Sequence, residues 1–233
     1  SLIDNIMIDL DGTKNKTRLG ANAILSVSLA TATAAAKHYK LPLYKYLGGT
    51  SNYKMPTPMF NVINGGAHAN NRLSFQEFMI IPVNNINFSE SLRKSTEVFH
   101  NLKKIINDKG LSTSVGDEGG FAPNLDSESD ALDLISLAIK KSGFKLIDDF
   151  VFALDVAATE FYKKNKYQLM TQKKPFTSNE FSDFLKKLCE KFPIMSIEDP
   201  MAEDDWTGWS SLNSDLGDDI QIVGDDLFAT NLE

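Results

Sequence analysis

Three short apolar runs that each end in carboxylates constrain this chain more than any other feature of its sequence. The clearest of them ends in Glu198 and Asp199, directly before Pro200. Because proline donates no hydrogen bond to a strand ladder, the strand must end there, with both acids at its carboxyl end. The runs that end at Asp155 and at Asp225 follow the same pattern. Helical stretches separate the three, which predicts a parallel α/β sheet or barrel with its active face at the carboxyl ends of the strands.

These strand-end acids predict a metal site. An acid at the end of a strand commonly caps the next helix, and that is the alternative interpretation of Asp155, Glu198 and Asp225 taken singly. As a set, one on each successive strand, they would converge and repel one another unless a cation neutralised them. Oxygen ligands with few other donors favour Mg²⁺. The central hypothesis is therefore a magnesium site.

Charge and composition argue against several classes of protein. The formal net charge of −7 argues against a nucleic-acid surface and against a basic membrane patch. Cys189 is the single cysteine and has no internal partner for a disulfide, which favours a reducing cytoplasm. The longest apolar tract, residues 21–36, is interrupted by Asn, Ser and Thr, and no signal peptide opens the chain. The sequence predicts a cytoplasmic protein with no membrane span.

The order of the elements predicts two domains. A periodic Ala-rich helix over residues 19–39 is followed by a Gly-rich linker at 48–52, which places a first domain at residues 1–52 and a second at 53–233. The second domain begins with two strands in succession and continues with two helices. From Phe150 onward strands and helices alternate. The fold class expected is α/β, with five strands that form part of a barrel.

Two glycine-rich loops carry further candidate residues. Three glycines around Glu118 permit a tight backbone course that presents a carboxylate into a cleft, although such a loop taken alone is more often an ordinary turn. His68 follows a Gly-Gly pair, so its ring could reach a ligand. Glu77 is flanked by Phe75 and Phe78 and is either a structural partner or a desolvated acid with a perturbed proton affinity. The sequence leaves that alternative open.

Taken together and in order along the chain, these motifs resemble those of the enolase family. The resemblance rests on residues 19–25, 64–68, 76–79, 116–124, 153–155, 196–200 and 223–227. It implies the end of an α+β N-terminal domain, followed by a partial enolase-type (β/α) barrel of ββαα(βα)n order. It also implies interconversion of 2-phosphoglycerate and phosphoenolpyruvate in glycolysis, usually by a homodimer or a larger assembly.

The resemblance further implies a role for each candidate residue. Asp155, Glu198 and Asp225 match the ligands of a Mg²⁺ ion, and Glu118 matches the acid that helps the hydroxyl leave. The implied substrate-binding residues are His68, Glu77, Glu198 and Asp225. Removal of a proton beside a carboxylate builds up negative charge, which Mg²⁺ can hold in place.

Enolases are longer than this sequence at both ends, so the chain is expected to be an internal piece, and residues 232–233 could be foreign to it. The expected piece lacks the mobile Ser-containing loop and the lysine that acts as the base. A non-catalytic scaffold or interaction protein on the same fold is the alternative function. A matching lysine in the parent reading frame would favour the enzyme, and its absence the scaffold.

We expect a polypeptide of residues 1–233 alone not to convert 2-phosphoglycerate. An acid such as Glu118 assists the leaving hydroxyl only after a base has removed the carbon-bound proton, and no lysine here matches that base by motif. Catalytic groups that act as a unit are strongly non-additive, so loss of the base should cost nearly the whole rate. The absorbance of phosphoenolpyruvate formed by the purified polypeptide measures this, and product formed once host enolase is excluded would contradict it.

Overall fold

The computed structural model describes residues 1–51, 53–84 and 87–230. It divides into two compact units, Ser1–Met55 and Pro56–Glu233. This division lies close to the domain boundary expected at residues 52 and 53. Asn52 of the expected linker and the two residues suspected to be foreign, Leu232 and Glu233, lie outside the described residues. The assignment of the two units as domains of the expected kinds stays a prediction.

Three helices form the first unit: α1 (Leu2–Asp11), α2 (Ala21–His38) and α3 (Leu43–Gly48). Helix α2 confirms the periodic Ala-rich helix. The turn between α1 and α2 is organised by the Asp11 carboxylate, which accepts hydrogen bonds from the backbone N–H groups of Thr13 at 3.0 Å and Leu19 at 2.6 Å. The Thr13 hydroxyl also donates to this carboxylate. That bond first, and the backbone bonds after it, stabilise the charged carboxylate and hold the pKa of Asp11 below its usual value.

The second unit is built on an open five-stranded sheet. Its strands are β1 (Phe60–Asn64), β2 (Glu77–Pro82), β3 (Phe150–Asp155), β6 (Ile194–Glu198) and β7 (Gln221–Val223), in the order β1-β2-β3-β6-β7. A separate hairpin joins β4 (Tyr162–Lys163) to β5 (Lys166–Tyr167). Strand β2 runs antiparallel to both of its neighbours, whereas β3, β6 and β7 are parallel. The predicted strand, strand, helix, helix order is confirmed, and the described part of the sheet forms part of a barrel without closing it.

Four helices cover one face of the sheet: α4 (Phe88–Asp108), α5 (Glu128–Lys141), α6 (Ser178–Lys191) and α7 (Trp206–Leu216). Helix α6 begins with a reciprocal capping box, in which the Thr177 hydroxyl accepts from the Glu180 N–H and the Glu180 carboxylate accepts from the Thr177 N–H. Among the described residues, no helix combines the length and the apolar character needed to cross a membrane.

The two faces of the sheet bury different side chains. The helix-covered face holds the main apolar core, to which β3 contributes Phe150, Phe152 and Leu154. The other face carries a small apolar cluster that includes Val151 and Ala153. Because side chains alternate along a strand, Asp155 belongs to this second face, at its end.

A buried network fixes the loop that follows β6. The Asp205 carboxylate accepts hydrogen bonds from the hydroxyls of Tyr167 at 2.7 Å and Ser178 at 2.6 Å, and from the Gly208 N–H at 3.0 Å. The Tyr167 hydroxyl in turn accepts from the Ala202 N–H at 3.1 Å. The network therefore joins the small hairpin, the start of α6 and the start of α7.

Replacing Tyr167 by Phe should lower the free energy of unfolding by about 1–3 kcal/mol, because the buried Ala202 N–H loses its acceptor and Asp205 loses a donor. Chemical denaturation of both proteins measures this. Tyr162→Phe is the matched control, since the half-buried Tyr162 contacts the Tyr167 ring but no hydrogen bond of its hydroxyl is found among the described residues. Equal stability of the Tyr167→Phe variant and the wild type would contradict the role given to the network.

Candidate active site

Three carboxylates from neighbouring strands lie side by side at one edge of the sheet, where β3 and β6 end and β2 begins. In the β2–β3 pair Glu77 stands opposite Asp155, and in the β3–β6 pair Asp155 stands opposite Glu198. Because β2 is antiparallel to β3, Glu77 is the first residue of its strand, whereas Asp155 and Glu198 are the last residues of theirs. The register thus gathers acids from both ends of their strands at a single edge.

The closest group of acids contains one residue that differs from the predicted set. Oxygen atoms of Asp155, Glu198 and Asp199 all lie within 4.8 Å of one another. Asp225, the third predicted ligand, lies outside this group, although its negative charge adds to burial and to the charge of Asp199 in raising the pKa of Glu198. The structure therefore brings two of the three predicted ligands together and adds Asp199. The ligand role of Asp225 stays a prediction.

Burial and mutual repulsion make this edge of the sheet electrostatically unfavourable for negative charge. Burial, reinforced by the charges of Glu198 and Glu77, raises the pKa of Asp155 to about 8. Burial is also the main cause that raises the pKa values of Glu198 and Asp199. A carboxyl group that holds its proton near neutral pH is a group that a cation would convert to its charged form.

The donor set fits Mg²⁺. All the candidate ligand atoms are carboxylate oxygens, the hard ligands that this ion prefers. One carboxylate oxygen each of Asp155, Glu198 and Asp199 lies within 4.8 Å of the others, and opposite ligands of an octahedral Mg²⁺ are about 4 Å apart. The excess of negative charge at the site would be relieved by the same ion.

The two glycine-rich loops contact each other beside the acids. The His68 carbonyl accepts a hydrogen bond from the Asp117 N–H at 3.0 Å, and the Asn64 side chain accepts from the Gly120 N–H at 2.8 Å. Gly116 is required for this approach, because a Cβ there would lie 2.5 Å from the His68 carbonyl oxygen. The loops enclose part of a cleft of about 600 Å³.

His68 and Glu118 belong to these two loops, and Glu77 lies beside them at the start of β2. The His68 Nδ1 is 3.8 Å from a Glu77 carboxylate oxygen, beyond hydrogen-bond distance, and it is buried without a hydrogen-bond partner. Burial raises the pKa of Glu77, the nearby Glu118 raises it further, and His68 lowers it. Of the two interpretations left open for Glu77, the structure therefore favours the desolvated acid. Glu118 itself is exposed on its loop.

Asp199 is the site residue that the sequence did not single out. The sequence placed it beside Glu198 at the carboxyl end of the strand but did not include it among the predicted ligands. The backbone at Asp199 is left-handed, with φ of 42°, and this turns its side chain back toward the same edge. Asp is among the residues that tolerate that conformation.

Comparison with known families gives two matches that together account for most of the chain. The family description "Enolase, C-terminal TIM barrel domain" matches residues 52–233. The description "Enolase, N-terminal domain" matches residues 1–47. The two matches follow one another in the order of the two compact units.

Proposed function

The chain belongs to the enolase family, and on this premise we propose that it catalyses the reversible dehydration of 2-phosphoglycerate to phosphoenolpyruvate in glycolysis. The observation that carries the proposal is the gathering of Glu77, Asp155 and Glu198 at one edge of the sheet, beside the loops that hold His68 and Glu118. The proposal includes action in the cytoplasm, as a homodimer or a larger assembly of dimers.

In this proposal Asp155, Glu198 and Asp225 hold Mg²⁺. The bound ion would stabilise the negative charge that builds up beside the substrate carboxylate when the neighbouring carbon loses its proton. Asp155 contributes by giving up its own proton when the ion binds, since its pKa of about 8 leaves it largely protonated at neutral pH otherwise. Burial and the charge of Asp199 are the larger causes of the raised pKa of Glu198, and the charge of Asp225 adds to them, which supports a place for Asp225 near the same ion.

Glu118 is proposed as the acid that gives a proton to the departing hydroxyl. The glycines around it let the loop approach the substrate closely, and the exposure of the side chain leaves it free to do so. His68 and Glu77 are proposed to bind substrate. The buried and unpartnered Nδ1 of His68 has a hydrogen bond still to make, and Glu77, whose pKa is raised, keeps its proton to higher pH and can then donate one.

The proposal is tested by the absorbance of phosphoenolpyruvate formed from 2-phosphoglycerate by the full-length protein. We expect product only with Mg²⁺ present, and its loss when the ion is chelated. Glu198→Gln should abolish activity at moderate Mg²⁺ concentration. Glu190→Gln, the same change at an exposed position on α6, should leave it intact. Absence of product from a folded full-length protein that binds Mg²⁺ would refute the proposed reaction and favour the non-catalytic alternative.

A further inference from the structure

We propose that Asp199 is a positioning residue, which holds the loop carrying Asp225 against the ends of β3 and β6 and so sets the spacing of the predicted metal ligands. The expected effect of Asp199 on Mg²⁺ binding rests on the proposed function. We do not assign Asp199 as a ligand, although one Asp199 oxygen lies within 4.8 Å of an oxygen of Asp155 and of one of Glu198.

The Asp199 carboxylate is already occupied by backbone donors. Its Oδ1 accepts from the N–H groups of Asp225 at 3.2 Å and Leu227 at 3.4 Å, and its Oδ2 accepts from the Asp226 N–H at 2.9 Å. A carboxylate offers about four lone-pair sites, so three of them are used within the protein. Asp199 is 4% exposed, and these bonds replace the water that its carboxylate has lost.

The backbone of Asp199 extends the same connection to both neighbouring strands. Its N–H donates to the Val223 carbonyl at 2.9 Å, at the end of β7. Its carbonyl accepts from the Ala158 N–H at 3.1 Å, in the segment that follows Asp155. Asp199 is therefore hydrogen-bonded to the end of β7 and the Asp225 loop after it, and to the segment that directly follows Asp155. Its own neighbour Glu198 is the third predicted ligand.

The left-handed backbone of Asp199 supports this assignment. A φ of 42° in a residue other than glycine is uncommon and is retained where the surrounding contacts fix it. Here that conformation turns the carboxylate toward the N–H groups of residues 225–227 rather than along the strand direction. A residue with a different side chain at this position would bear the backbone cost without forming the three bonds.

The test compares Asp199→Asn with Asp226→Asn in the full-length protein. Asparagine tolerates left-handed backbone and has the same shape, but it places an amide N–H₂ against backbone donors. Asp226→Asn also removes one carboxylate charge, at an exposed position of the loop that Asp199 contacts, and leaves all three bonds to Asp199 in place. Two quantities are measured: the hydrogen-exchange rates of the amides of residues 225–227 without metal, and the affinity for Mg²⁺ by calorimetry.

We expect Asp199→Asn to speed exchange of these amides in the metal-free protein and to weaken Mg²⁺ binding by about 10–100-fold, as is usual for residues that orient ligands. Asp226→Asn should leave exchange unchanged and weaken binding by less than about fivefold, the effect of a screened surface charge. If Asp199→Asn does not fold, Asp199→Gly, which has no backbone cost at this φ, should show the same two changes.

Weaker Mg²⁺ binding with unchanged exchange would overturn the inference, because Asp199 would then act as a ligand or through its charge. Faster exchange with unchanged affinity would overturn it as well. A wild-type protein that binds no Mg²⁺ would instead refute the proposed function. For a protein that binds no Mg²⁺, the exchange rates alone test whether Asp199 holds the loop. Unchanged exchange in Asp199→Asn would then overturn the inference as well.

Discussion

Replacing Glu118 by Gln should lower the turnover of 2-phosphoglycerate by about 10²–10⁴-fold in the full-length protein, with a far smaller change in KM. Glutamine keeps the size and polarity of the side chain on its exposed loop, so substrate should still bind. It has no acidic proton to give to the departing hydroxyl, so the loss should fall on the chemical step. Steady-state rates from the absorbance of phosphoenolpyruvate give both constants.

Glu190→Gln again serves as the matched control for this experiment, because it makes the same chemical change on the exposed face of α6. A Glu118→Gln variant whose turnover equals that of the control would remove Glu118 from the reaction. A variant with raised KM and unchanged turnover would make Glu118 a binding residue instead.

Replacing Asp155 by Asn should abolish Mg²⁺ binding and yet stabilise the metal-free protein at alkaline pH. The pKa of Asp155 is raised from 3.8 to about 8 in the fold, mainly by burial and then by the repulsion of Glu198 and Glu77. A folded state that binds the proton more tightly gains stability from this group in full below about pH 4 and loses it as the pH rises through about 8. Asparagine is neutral throughout and bears none of that loss.

Thermal melts of both proteins without metal, at about pH 4 and about pH 9, measure the effect. A tenfold change in proton affinity corresponds to about 1.4 kcal/mol, and each kcal/mol shifts Tm by about 2–4 °C for a domain of this size. The variant should therefore melt several degrees above the wild type at the higher pH and close to it at the lower one. Added Mg²⁺ should raise the Tm of the wild type only. A variant less stable than the wild type at about pH 9 would show that Asp155 is charged without difficulty in the metal-free fold.

Local signals explain why much of the fold could be predicted from the sequence. The capping box of Thr177 and Glu180, the break at Pro200 and the cap at Ser127 each act within one turn of chain, so the sequence alone locates α6, β6 and α5. The hairpin of β4 and β5 was missed because each strand has two residues and its turn has Lys164 and Asn165 in left-handed conformations rather than an Asn-Gly pair.

The candidate site was less predictable because its geometry depends on contacts between distant parts of the chain. The acids at the ends of β3 and β6 are adjacent because those strands pair in parallel, which their shared pattern predicts. The position of Glu77 depends on the antiparallel direction of β2, and that of Asp199 on one backbone angle. Neither follows from residue type or spacing, since both are settled by which strands pair and by the hydrogen bonds available to the loop.

The reversed direction of β2 has a consequence for how this sheet can accept changes in chain length. Since β2 begins at the edge where β3 ends, the segment over the acids is the one that precedes β2, whereas the connection that enters β3, residues 143–149, lies at the opposite edge. Insertions or fluorescent labels at exposed positions such as Asp148 should leave the acids undisturbed. The same insertions among residues 69–71 would displace His68 and Glu77. The number of residues is therefore constrained in the segment that precedes β2 and less so in the connection that enters β3.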